Sequence, residues 1–89
     1  MEYEKIKDWL DKLVDNHKEL KSLEDYNNQI CLAAVAYFIQ IYSGIQMIAD
    51  VMGFVLNEEE RECTGYPYEY SFYYRGIKFL QINKEKLNA

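Results

Sequence analysis

Eighty-nine residues, 49% of them hydrophobic, make a single domain with one modest core rather than a disordered tail. Fifteen acidic against ten basic side chains leave a formal charge of −5. That balance argues against direct nucleic-acid binding, which needs a cationic face to displace counterions, and it permits attraction to a basic protein surface. The opening MEYEKIKDW is acidic and amphipathic, unlike a secretory leader, and the chain carries no Asn-x-Ser/Thr acceptor. Cys31 lies in an apolar stretch, far from Cys63. A cytoplasmic protein with both thiols reduced is the plain expectation.

Residues 3 to about 20 show the strongest periodicity, predicting a first helix. Ile6, Trp9, Leu10, Leu13, Val14, His17 and Leu20 form its apolar face; Glu4, Asp8, Asp11, Asp15 and Glu19 form the opposite one. Lysines run along the margins. Like charges four residues apart cost a helix roughly 0.2–0.5 kcal/mol per pair. Glu4/Asp8, Asp11/Asp15 and Asp15/Glu19 all have that spacing, which points to a use for the carboxylates beyond solvation. His17, the sole histidine, sits on the apolar face with no second ligand or nucleophile spaced to join it.

Ser22-Leu23-Glu24-Asp25 reads as a capping box, with Ser22 as N-cap, so a short turn into a second helix is expected. That helix would cover about 23–52 and contain the most apolar part of the chain, Ile30 to Met52, whose only formal charge is Asp50. A polar or small stripe, Gln29, Ala33, Ala36, Gln40, Ser43 and Gly44, would let another backbone approach. The run Val35 to Tyr42 has strand-like composition, so a break near Ser43-Gly44 is the competing expectation. A membrane span is long enough to fit here. Gln40, Ser43, Gln46 and Asp50 inside the segment, and the lack of basic flanks, favour a buried helix and no membrane contact.

Gly53 is placed to end this helix. A first strand is expected from Phe54 towards Cys63, a turn at Thr64-Gly65-Tyr66-Pro67, and a second strand over Tyr68 to Tyr74 with Tyr68, Tyr70, Phe72 and Tyr74 on one face. Arg75-Gly76 predicts a tight hairpin into a third strand, Ile77 to Ile82, and 84–89 reads as a polar tail. The fold class is α+β: a two-helix hairpin followed by a small three-stranded antiparallel β-meander, ααβββ.

No P-loop, dinucleotide glycine pattern, CxxC or HExxH occurs, and the serines, cysteines and histidine form no nucleophile-base arrangement. No enzyme, metal or cofactor is expected. Two surfaces stand out beside the Glu4-Asp8-Asp11-Asp15-Glu19 stripe. One is Glu58, Glu59, Glu60 and Glu62, which also read simply as a charged edge strand. The other is the tyrosines Tyr66, Tyr68 and Tyr73, the rings expected outside the core, where tyrosine makes a good interface anchor. Helical carboxylates three or four apart recur every ~5–6 Å, on the scale of phosphates along a nucleic-acid strand, whose axial rise of ~3.4 Å sets a floor. The leading expectation is an inhibitor or regulator that occupies the basic surface of a partner such as a nucleic-acid-binding enzyme. It would act in the manner of phage or mobile-element inhibitors of nucleases and CRISPR complexes. The alternatives are a structural module that dimerises through the central helix and, behind it, a single-span membrane protein.

Overall fold

A computed structural model describes residues 2–26, 38–62 and 65–87. Helix α1 spans Glu2–Tyr26, with Glu2 and Glu4 in the first turn at the positive end of its dipole. Ile6, Leu10, Val14 and His17 are buried along one ridge. Trp9 and Leu13, expected on the same face, stand at its margins, 50% and 42% exposed. The shielded stripe is therefore narrower than the apolar one.

The helix does not stop at Ser22. The Ser22 hydroxyl donates to the Lys18 carbonyl over 3.1 Å, the back-bond that lets a serine sit inside a helix. Lys21, Leu23 and Glu24 around it are good helix formers, with no Gly or Pro to halt propagation. The expected capping box and short helical turn give way to one longer helix.

The expected helix over 23–52 is not one element either. Residues 27–37, which include Gln29, Cys31, Ala33 and Ala36, lie outside the described residues. Next comes a strand, β1, Phe38–Gln40, formed where β-branched and aromatic residues cluster. Helix α2 begins only at Ile45 and runs to Met52. Between them Gly44 takes φ 96°, a left-handed conformation that breaks a helix arriving from either side. At the far end Gly53 has φ 76°, and the Phe54 N–H donates to the Ala49 carbonyl over 2.9 Å, the closing bond of a Schellman cap.

Three further strands follow: β2 Asn57–Glu60, β3 Tyr68–Tyr74 and β4 Ile77–Asn83. The sheet has four strands in the order β1-β4-β3-β2. β2, β3 and β4 run antiparallel, and β1 pairs parallel with β4, Ile39 opposite Phe79. The expected three-stranded meander is thus a four-stranded mixed sheet, because the middle of the chain supplies an edge strand whose partner lies far along the sequence. The first expected strand starts late, at Asn57. Phe54 serves the core instead, its ring 4.9 Å from Phe72 and 6.0 Å from Tyr74.

Cross-strand register sorts the two faces of the sheet. Ile39, Tyr70, Phe72, Tyr74, Ile77 and Phe79 share one face and pack with Ile6, Leu10, Val14 and Ile45 of the helices. Phe72 and Phe79 stack at 5.1 Å. The other face carries Phe38, Glu69, Ser71, Tyr73, Lys78, Leu80 and Ile82. Among the described residues no helix is long and apolar enough to cross a membrane.

Candidate functional site

The outer face of α1 is less free than its charge pattern suggests. Asp11 and Asp15 both reach Arg75 in the β3–β4 turn, each at 3.2 Å. Asp11 also accepts from the Lys7 ammonium at 3.0 Å and from the Tyr74 hydroxyl at 2.8 Å. These bonds, Lys7 first and Tyr74 second, hold its carboxyl below the ordinary carboxylate range. Desolvation and then the Asp11 bond push the Tyr74 phenol up. Asp8 is bridged by Lys12 at 3.0 Å. The i, i+4 repulsion between Asp11 and Asp15 therefore has an internal compensation: one arginine, delivered by a hairpin distant in sequence, spans both. Glu4 and Glu19 are exposed and make no ion pair among the described residues.

The second acidic group lies on an edge of the sheet. Glu58, Glu59 and Glu60 occupy β2, whose every residue is exposed, and Glu62 follows, also exposed. Positive charge near them is sparse. Lys86 approaches Glu58 at 3.6 Å, exposed on both sides. Arg61, half-buried between Glu60 and Glu62 in the chain, donates from its guanidinium to the Tyr66 carbonyl at 3.4 Å, an exposed contact. Glu59 sits directly opposite Glu69, which is held by Lys78 at 2.9 Å. The Lys78 ammonium is raised above its usual range, first by its bond to Glu69, with Glu59 a smaller contributor.

The three tyrosines divide. Tyr73 is the most open, 62% exposed, on the face away from the helices. Tyr66 is partly exposed with the Lys84 ammonium 5.6 Å above its ring. Tyr68 is half-buried beside β2, with Lys86 5.9 Å from its ring. The structure brings Tyr68 together with Glu58 and Glu60 on one face of the β2–β3 ladder; Tyr73 and the α1 carboxylates stand apart from them.

Sequence reasoning passed over Tyr42, 90% exposed after β1. With Gln40, Ile41, Tyr66 and Ile82 it lines an open groove of about 310 Å³. Its signal was a tyrosine beside Ser43-Gly44, a turn sequence, which an uninterrupted helix obscured. Arg75, by its place beside Gly76 a turn residue, is also the cation that spans Asp11 and Asp15. Among the described residues no group of three His, Cys, Asp or Glu side chains is placed to hold a metal ion; Cys31 and Cys63 lie outside them. No protein-family model, curated protein or solved structure matches this chain.

Proposed function

We propose that this is a small acidic, non-enzymatic binding protein that inhibits or regulates a partner by occupying the partner's basic, nucleic-acid-binding surface, as phage-encoded inhibitors of nucleases and CRISPR complexes do. The observation that carries the reading is the exposed carboxylate row on β2, Glu58-Glu59-Glu60, continued by Glu62, in which among the described residues only Glu58 makes an ion pair, with the exposed Lys86 at 3.6 Å. Such a row is a local source of negative potential that a cationic groove complements, speeding encounter and setting specificity. Glu4, Asp8 and Glu19 on α1 extend the acidic surface, while Asp11 and Asp15 are committed to Arg75. Tyr66 and Tyr68 supply aromatic area next to the row.

The test is capture of partners from a detergent-free lysate at low and high salt, read by mass spectrometry, with and without competing DNA or RNA. A variant with Glu58, Glu59, Glu60 and Glu62 changed to Gln is run in parallel. Recovery of basic nucleic-acid-binding proteins, lost in high salt, with the competitor and with the variant, supports the reading. Partners that are not basic, or that nucleic acid does not displace, sink it.

A further inference from the structure

The β2 row is also the outer edge of the sheet, and the phase of its hydrogen bonds decides what that edge offers. The Arg61 N–H donates to the Pro67 carbonyl at 2.6 Å, one step beyond the Glu60–Tyr68 pair of the ladder. Bonded and non-bonded pairs alternate in an antiparallel ladder. Asn57 and Glu59 therefore turn their main-chain groups towards β3, and Glu58 and Glu60 turn theirs away from it. The Arg75-Gly76 turn fixes the same phase independently, since a two-residue loop closes on a bonded pair, Tyr74 with Ile77, and alternation from there again leaves Tyr68 and Tyr70 directed at β4. The outward N–H and C=O of Glu58 and Glu60 make no hydrogen bond among the described residues.

We propose that the β2 edge receives a basic, extended segment of the partner protein as a fifth strand, main chain to main chain at Glu58 and Glu60, with lysine or arginine side chains set against Glu58, Glu59 and Glu60. The inference rests on the function proposed above and specifies how the partner is held. Strand addition takes its affinity from the backbone and its selectivity from alternating side chains. Charge selects the occupant here. A second copy of this chain would place glutamate against glutamate, which is unfavourable, and a nucleic-acid strand would meet the same carboxylates with phosphate. A cationic strand meets Glu58 and Glu60 on one face and Glu59 on the other, where Glu59 stands opposite Glu69 with only Lys78 between them. Among the described residues Lys86 is the cation paired with this row, exposed and 3.6 Å from Glu58, and so the internal competitor.

The experiment uses the whole protein and a synthetic six-residue peptide of alternating lysine and threonine, with a second peptide of the same sequence N-methylated at alternate amides. Methylation removes main-chain donors and keeps every charge. Affinity is measured by calorimetry, and amide hydrogen exchange is followed residue by residue. The expected result is that binding slows exchange at Glu58 and Glu60 while Asn57 and Glu59 are slow already, and that methylation weakens binding by about tenfold or more, the loss of ~1.4 kcal/mol. A Glu58→Pro variant deletes an outward N–H and leaves the β3 bonds in place; compared with Glu58→Gln, which loses the same charge and keeps the N–H, it should lose a further several-fold in affinity. Equal binding of both peptides with Glu58 and Glu60 still open overturns the strand mode and leaves the acidic-binder reading intact. No binding of either peptide, while the lysate capture still yields basic partners, likewise overturns only the strand mode. Failure of both experiments overturns the two together.

Discussion

The Tyr74 hydroxyl, on the last residue of β3, donates to Asp11 in the middle of α1 over 2.8 Å. It ties the outer face of the helix to the end of a hairpin 63 residues away. The neighbouring turn residue Arg75 grips the same carboxylate and Asp15 beyond it. Tyr74→Phe removes the bond and keeps the ring that packs near Phe54. Its expected effect is a lower Tm, by a few degrees on the scale of roughly 4–8 °C per kcal/mol for a domain of this size, with the fold and any β2-edge binding unchanged. Thermal melts of the two proteins check it.

The two groups of this contact make stability depend on pH at both ends of the scale, Asp11 through its bonds to Lys7 first and Tyr74 second, and Tyr74 through desolvation first and its bond to Asp11 second. The Asp11 carboxyl is held below its ordinary value of 3.8. Its contribution is therefore complete above that value and disappears as pH falls through the lowered one. The Tyr74 phenol is raised above its ordinary 10.0; its contribution is present below that value and is lost as pH climbs through the raised one. The difference in urea midpoint between wild type and Tyr74→Phe should be largest across neutral pH and shrink towards both extremes. A difference that stays flat with pH would show that the bond is unimportant in solution.

Helix α2 borrows its N-cap from the sheet. Gly44 offers no side chain to the first turn, and the buried Gln81 of β4 accepts the Ile45 N–H at 3.0 Å while donating to Asn83 at 2.8 Å. Gln81→Leu would leave that buried N–H without an acceptor, at a cost of about 1–3 kcal/mol. Amide exchange at Ile45 should accelerate, with α2 fraying ahead of the strands. Equal protection in wild type and variant would mean that another acceptor takes over.

What could be read in advance divides by the range of the interactions concerned. β3 was legible to the residue because Tyr68 to Tyr74 alternates, and Arg75-Gly76 carries its own turn chemistry. Gly53 marked the end of α2 for the same local reason. Ser22 misled because a serine hydroxyl serves either as an N-cap or as a back-bond to Lys18, and only the finished helix chooses. At Phe38–Gln40 the strand-like composition and the break near Ser43-Gly44 were visible as the competing expectation, and the structure follows them; what no local pattern encodes is the parallel pairing with Lys78 to Leu80 that settles the strand state. The acidic residues of α1 were visible as a stripe. That Arg75 would bind Asp11 and Asp15 was not, because the contact exists only once the hairpin folds back on the helix.

The β3–β4 turn allows a test of strain free of packing. Arg75 and Gly76 both have positive φ, 51° and 82°, the two-residue turn whose twist matches the flanking strands. A methyl group on Gly76 would meet nothing within 4 Å. Gly76→Ala should therefore destabilise through backbone conformation alone, by about 1–2 kcal/mol, the cost of holding an L-residue left-handed. D-alanine at the same position, introduced by chemical synthesis, prefers positive φ and restricts the unfolded chain, so it should raise stability by roughly 0.4–1 kcal/mol. Opposite signs for the two enantiomers in denaturant titrations confirm the turn. A loss of similar size from both would mean that the added methyl meets a neighbour in solution, and reversed signs would mean that Gly76 is not left-handed.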